Sequence, residues 1–144
     1  YESGTVEETD YDSFYQQMHV TLMGRRTFQE LAKAGDPAAA YPSTENYVFT
    51  HRPLSQEGFT AVSGSVTEFT EALGRDRNVW VVGGNTLLAP LLDRDLVDRL
   101  IVQVAPVLLG GGVPLFTQAE GLKRFRLNEV RKYGQFAELR YARR

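Results

Sequence analysis

The chain has 144 residues, 42% apolar and 24% charged, with a net charge of −2, which is an ordinary globular composition long enough to bury a real core. That charge gives no reason to expect nucleic acid or an anionic membrane surface as partner. The absence of cysteine excludes disulfides, thiolate chemistry and Cys-ligated metals and fits a reducing cytoplasm, and no apolar run approaches the ~20 residues of a membrane span. The chain opens at Tyr1 rather than Met, which leaves room for a preceding or processed segment.

In chain order, residues 1–9 are polar and read as loop. Thr9 or Asp10 caps a short helix through Phe14 and Met18. Residues 19–23 form a strand that Gly24 breaks, and Arg25-Arg26-Thr27 open a helix through Phe28, Leu31 and Ala32. Gly35-Asp36-Pro37 stops it, and 38–44 is expected to be loop. Residues 45–50 form a strand, His51-Arg52-Pro53 a loop, and 59–62 a short strand. Ser65 and Glu68 make a capping box for a helix running to Leu73-Gly74.

The apolar run 79–82 reads as a strand buried on both faces. Gly83-Gly84 follow, and Asn85 caps a helix with Leu87, Leu88, Leu91 and Leu92 on its apolar side. Residues 99–107 form another strand. Residues 125–132 and 135–141 read as an antiparallel hairpin turned at Tyr133-Gly134. Strands alternating with helices imply a single α/β domain over residues 1–144: a mostly parallel central sheet with helices on both faces, and a C-terminal antiparallel hairpin. No internal repeat or low-complexity tract is present.

Two strand–Gly–helix junctions carry the chemistry. At Gly83-Gly84 a helix N-terminus meets backbone that no Cβ shields, and the helix dipole favours an anion there. At Gly24 the junction adds two guanidinium groups and a hydroxyl. Taken alone, Gly83-Gly84 is as readily a tight turn. Cations at a helix start oppose the dipole by ~0.3–1 kcal/mol each, so Arg25 followed by Arg26 is better explained by a bound anion. Two such mouths in one small domain suggest a single diphosphate between them, the centre of a dinucleotide. His51-Arg52 matters only if it lies beside the Arg25 mouth.

Gly110-Gly111-Gly112 reads as a loop without ligand, Trp80 as core, and Glu7, Glu8, Asp10 and Asp12 as a solvated helix start. GxGxxG, GxxxxGK[ST] and GxSxG are all absent. His19 and His51 are too far apart in sequence for a local metal motif, so no metal is expected.

The segments LMGRRTFQEL (22–31) and VWVVGGNTLL…LVDRLIVQVAPVLLGGGVPLF (79–116) resemble the dihydrofolate-reductase-like superfamily, nearest to the reductase domain of bacterial riboflavin biosynthesis and its stand-alone relatives. The resemblance implies that three-layer fold and an NADPH-dependent reductase of a pyrimidine- or pteridine-like substrate. It carries cofactor-phosphate contacts onto Gly24, Arg25, Arg26 and Thr27. Diphosphate contacts fall on Gly83, Gly84, Asn85, Thr86 and Leu87, and 2′-phosphate contacts on Thr50, His51 and Arg52. It further implies a cis Gly83–Gly84 peptide and a homodimer.

The chain departs from the family in two places. The strand with which members begin is absent from it, and no single one of Glu7, Glu8, Asp10 and Asp12 matches the catalytic carboxylate of dihydrofolate reductases. The alternatives are a true dihydrofolate reductase and a nucleotide-binding protein that has lost the reaction.

The residues themselves give two further expectations. Both helix mouths should open on one cleft, and the apolar and aromatic side chains of the hairpin and of strand 99–107 should favour a two-fold dimer.

Overall fold

Strand β1 (Val20–Gly24) is the centre of the structure, because Val20, Thr21, Leu22 and Met23 are all fully buried, two on each face. The computed structural model describes residues 10–119 and 121–144. In it β1 pairs in parallel with β2 (Glu45–Phe49) on one side and with β4 (Val79–Gly83) on the other. Strand β3 (Phe59–Val62) pairs in parallel with β2, giving the order β3-β2-β1-β4.

The two faces of this sheet are covered by different helices. Met23, Val48 and Phe59 lie on one face, under α1 (Tyr11–Gln16), α2 (Arg25–Ala34) and α3 (Pro37–Ala40) through Tyr15, Phe28, Leu31 and Tyr41. Val20 and Leu22 lie on the other, under α4 (Val66–Leu73) and α5 (Asn85–Asp93) through Val66, Leu87 and Leu91. Full burial of each such side chain stabilises the fold by roughly 1.5–3 kcal/mol. Trp80 belongs to the first core as expected, with the rings of Tyr11, Phe14, Tyr15 and Tyr41 meeting it at 5.2 to 6.4 Å between centroids.

One polar group is built into that core. Asn46 accepts from Thr21 Oγ1 and from Thr44 Oγ1, both at 2.7 Å, and donates to the carbonyls of Tyr41 and Gly58. Every side-chain hydrogen-bonding group of a buried amide is thereby used, as a buried polar group requires.

The C-terminal part carries the expected antiparallel hairpin, in a sheet of its own. The hairpin does not extend the parallel sheet. Strands β5 (Arg99–Val104), β6 (Phe125–Tyr133) and β7 (Phe136–Arg143) form a second, antiparallel sheet in the order β5-β7-β6. Strand β4 ends the first sheet and β5 ends the second, so among the described residues each has an unpaired edge. The hairpin turns at Gly134-Gln135, one residue later than expected, with Gly134 in the left-handed region (φ 58°) and Tyr133 opposite Phe136. Strand β5 stops at Val104, because Pro106 cannot donate to a ladder. The loop expected over 38–44 begins as the helix α3, since Asp36 accepts from the Ala38 N–H and Pro37 sits at the first helical position.

Polar contacts tie the second sheet to the helices of the first. Lys123, just before β6, meets Asp95, just after α5, at 3.1 Å, and Arg131 of β6 reaches Asp10, just before α1, at 2.6 Å.

Candidate functional site

The parallel register brings the strand ends level. Gly24 is opposite Phe49, Phe49 is opposite Val62, and Met23 is opposite Gly83. The chain leaves β1 toward β2 under α2, on one face. It returns from β3 to β4 under α4, on the other. The direction of winding therefore reverses between β1 and β4. In open α/β sheets the crevice at such a reversal, at the carboxyl ends of the strands, is where ligands bind.

The two expected mouths flank this crevice. Helix α2 starts after Gly24 and α5 after Gly84. A Cβ built on Gly83 would stand 3.2 Å from Thr27 Oγ1, so the hydroxyl of the first mouth lies in the space beside the second that a side chain on Gly83 would take. The Gly83–Gly84 peptide is cis, as the resemblance implied. Neither helix has a side-chain cap on its first-turn N–H groups. By contrast, Ser65 caps α4 by accepting from the Glu68 N–H at 3.2 Å.

Three further site residues lie at the same edge. Arg25 Nη1 donates to Thr50 Oγ1 at 3.2 Å, and the Arg52 N–H donates to that same oxygen at 3.2 Å. The loop of Thr50, His51 and Arg52 therefore stands beside the Arg25 mouth, the condition that made the pair of interest. The buried Nε of Arg25 has no hydrogen-bond partner. Arg26, His51 and Arg52 are exposed, and together with Arg25 they make the rim cationic.

Other expected residues are placed differently. Asn85 does not cap α5; Gly84 holds that position, and Asn85 Nδ2 donates to the Pro114 carbonyl at 2.9 Å. Thr86 is exposed. The Leu87 side chain is buried in the core of the second face, and its N–H donates to Gly84 O. Among the acidic candidates, Glu7 and Glu8 lie outside the described residues. Asp10 Oδ2 accepts from Arg131 Nη1 at 2.6 Å, and Asp12 is exposed on α1.

A third mouth was missed. Strand β3 runs through Ser63-Gly64-Ser65 into α4, and the Thr50 N–H donates to Val62 O at 2.9 Å, which sets this junction next to the Thr50 loop. Its signal was present in the sequence, a glycine between a strand and a capped helix. The capping box drew the reading to helix initiation alone. Among the described residues no group of His, Asp and Glu is disposed to hold a metal. No helix among them is long and apolar enough to cross a membrane.

The model of the RibD C-terminal domain family matches residues 3–137. The chain belongs to that family. RibD C-terminal domains are reductase domains with the dihydrofolate-reductase-like fold. The Bacillus subtilis protein YwjB is 32% identical over 140 residues, covering 94% of this chain and 80% of that protein. The riboflavin biosynthesis protein RibD of Haemophilus influenzae is 33% identical over 82 residues, covering 51% of this chain and 22% of that protein.

Among solved structures, a putative riboflavin biosynthesis protein from Shewanella sp. PV-4 superimposes with a TM-score of 0.79 at 22% identity, over 94% of this chain and 80% of that one. Dihydrofolate reductase from Enterococcus faecalis, complexed with NADP(H), superimposes with a TM-score of 0.67 at 15% identity, over 93% and 80%. At these identities the two structures speak for the RibD C-terminal fold alone.

Proposed function

We propose that this chain binds NADPH along the carboxyl edge of its parallel sheet and reduces a heterocyclic, pyrimidine- or pteridine-like substrate of the riboflavin-biosynthesis type. The observation that carries the reading is the meeting of the two mouths, with Thr27 Oγ1 in the space that a side chain on Gly83 would take. Phosphates suit this place for three physical reasons. Two uncapped helix N-termini present N–H groups and positive dipole ends. The absent side chain of Gly84, whose Cβ would meet nothing nearer than 3.9 Å, leaves its backbone open to close approach. The partnerless Nε of Arg25 is a buried donor that an anion would satisfy.

Each residue then has a task. Thr27 and the N–H groups that open α2 and α5 hold the diphosphate. Arg25, oriented by Thr50, and the Arg52 and His51 side chains hold the 2′-phosphate that distinguishes NADPH from NADH. Bound NADPH supplies the hydride. The dihydrofolate reductase that shares the fold was solved with NADP(H), which supports the same cofactor here.

Dihydrofolate is the weaker substrate reading. It asks for a free, buried carboxylate on the first helix, and of the described candidates Asp10 is engaged by Arg131 while Asp12 faces solvent. The test is NADPH oxidation measured in parallel against a ribosylamino-pyrimidinone and against dihydrofolate, with nucleotide affinity titrated separately. Oxidation with the pyrimidinone alone is the expected result. Oxidation with dihydrofolate alone makes the protein a dihydrofolate reductase. NADPH binding without turnover of either leaves a nucleotide-binding protein that has lost the reaction. No NADPH binding overturns the proposal.

A further inference from the structure

Among the described residues Glu138 is the only charged side chain that is buried, at 2% exposure. Its Oε1 accepts from Gln103 Nε2 at 3.1 Å and its Oε2 from Arg140 Nε at 2.9 Å. Replacing a buried ion pair by apolar residues of like volume is often neutral or stabilising, because desolvation offsets the attraction. Stability of the antiparallel sheet therefore gives no sufficient reason for this carboxylate.

The topology sets the group beside the crevice. Helix α5 carries the chain from the end of β4 back to the start of β5, so the two strands run in the same direction. The segment after β5 returns to the start of α5, where Asn85 Nδ2 donates to the Pro114 carbonyl. Gln103, one residue before the end of β5, thus stands at the same edge as Gly83. The pairing fixes its face. Gln103 is opposite Glu138, Glu138 is opposite Arg131, and Arg131 reaches Asp10 just before α1. Helix α1 also covers Trp80 of β4 through Tyr11, Phe14 and Tyr15. The polar row of the second sheet and the α1 face of β4 therefore belong to one side of the molecule.

The chemistry of Gln103 follows from its partner. A carboxylate paired with arginine only accepts, so Glu138 takes the amide nitrogen of Gln103 and settles which way that amide points. The amide oxygen and the second N–H are left over, and among the described residues neither has a partner. The side chain is exposed. An acceptor beside a donor in one plane complements a lactam, the –NH–CO– edge of a ring, as glutamine complements the acceptor and donor of adenine in a nucleic-acid groove. We propose that Gln103 reads the lactam edge of the heterocyclic substrate, and that Glu138, held by Arg140, is the positioning residue that orients its amide. The inference rests on the reductase reading for its substrate class and uses none of the cofactor residues.

The experiment is equilibrium dialysis of the whole chain with a ribosylamino-pyrimidinone and with the same compound methylated on its lactam nitrogen. NADPH affinity, steady-state NADPH oxidation and Tm are measured beside it, for the parent, Gln103→Met and Glu138→Gln. The parent should prefer the unmethylated ring about 10- to 100-fold, the discrimination of one bidentate pair. Gln103→Met should lose the preference and raise KM for the pyrimidinone by about the same factor, with kcat, NADPH affinity and Tm kept. Glu138→Gln should lose part of the preference, because its amide can meet that of Gln103 in either orientation. A merely structural Glu138 would lower Tm and leave the preference intact, which overturns its positioning role. A parent that treats the two rings alike overturns the proposal, as does a Gln103→Met variant that still distinguishes them. NADPH binding without binding of the pyrimidinone overturns this proposal and leaves the cofactor reading. A lactam preference carried by Gln103 without NADPH binding upholds this proposal and overturns the cofactor reading.

Discussion

Arg25 stands at the first turn of α2 with one guanidinium nitrogen on Thr50 and another buried without a partner. A charge-assisted hydrogen bond contributes about 1.5–3 kcal/mol, so Arg25→Ala should weaken NADPH about 10- to 100-fold. NADH should lose less, and the gap should narrow in high salt. Fluorescence titration of both nucleotides at two ionic strengths checks this. Equal affinity of the parent for the two would remove the 2′-phosphate from the argument.

Gly83 gives a second prediction at this scale. Its Cβ would meet Thr27 Oγ1 at 3.2 Å, tighter than an ordinary contact. Gly83→Ala should cost about 1–3 kcal/mol of stability by crowding and should also block approach to the backbone. A lower Tm together with weaker nucleotide binding is the expected pair of readouts. Retained binding would mean that the bare backbone at Gly83 is not used.

At the scale of elements, Asn46 and the first helix decide how the layers are held. Asn46 ties β1 through Thr21 to the carbonyls of Tyr41 and Gly58, the first two of these bonds buried and the last half-buried. Asn46→Ala leaves a buried hydroxyl and a buried carbonyl without their partner, which should destabilise the protein by roughly 2–3 kcal/mol in denaturant unfolding. A loss below ~1 kcal/mol would mean that water or a shift of β2 replaces the amide.

Helix α1 lays Tyr11 against the Trp80 and Tyr15 rings. Burial, helped by the neighbouring Tyr41, Tyr15 and Asp12, pushes the Tyr11 phenol up to about 12 from 10.0. The folded state thus holds this proton more tightly than the unfolded chain does. The corresponding stability is complete below pH 10 and is lost as the pH rises from 10 toward 12. Unfolding free energy should fall across that window, and Tyr11→Phe should flatten the fall, leaving the part due to Tyr41, which burial also raises. Tyrosinate absorbance followed with denaturant titrations checks both.

At the scale of the whole molecule, two sheets share one chain but not one ladder. Each of β4 and β5 has an edge that no described strand covers, and the contacts joining the sheets are mostly charged and peripheral, such as Lys123 with Asp95. Exposed pairs of that kind contribute only ~0–1 kcal/mol each. In the two-fold dimer expected from the sequence, burial of the exposed apolar side chains between Ile101 and Val130, Leu108 and Leu109 among them, would therefore add substantially to the stability of the antiparallel sheet. A dimer stabilised in this way unfolds at a temperature that depends on protein concentration. Calorimetry over a hundredfold dilution should show Tm falling for the parent and constant for the double variant Leu108→Glu, Leu109→Glu. A concentration-independent parent would separate folding from association.

The sequence by itself determined the parts whose causes are local. The strand over residues 20–23, the strand–Gly–helix grammar at Gly24 and Gly83, and the cap at Ser65 each depend on neighbouring residues, and each is found where the sequence puts it. Burial on both faces, expected for residues 79–82, falls instead on residues 20–23, because β4 is the edge of its sheet and β1 its centre. The two helix mouths were legible as junctions for the same reason, since a glycine between an apolar strand and an amphipathic helix marks where one ends and the other starts.

What only the tertiary structure decided depends on partners far along the chain. Asp10 was read as a helix start, yet its carboxylate answers Arg131, 121 residues away. Asn85 was read as a cap, yet its amide is drawn to Pro114. The division into two sheets was equally invisible, because the alternation that marks a strand specifies its faces and leaves its neighbour open.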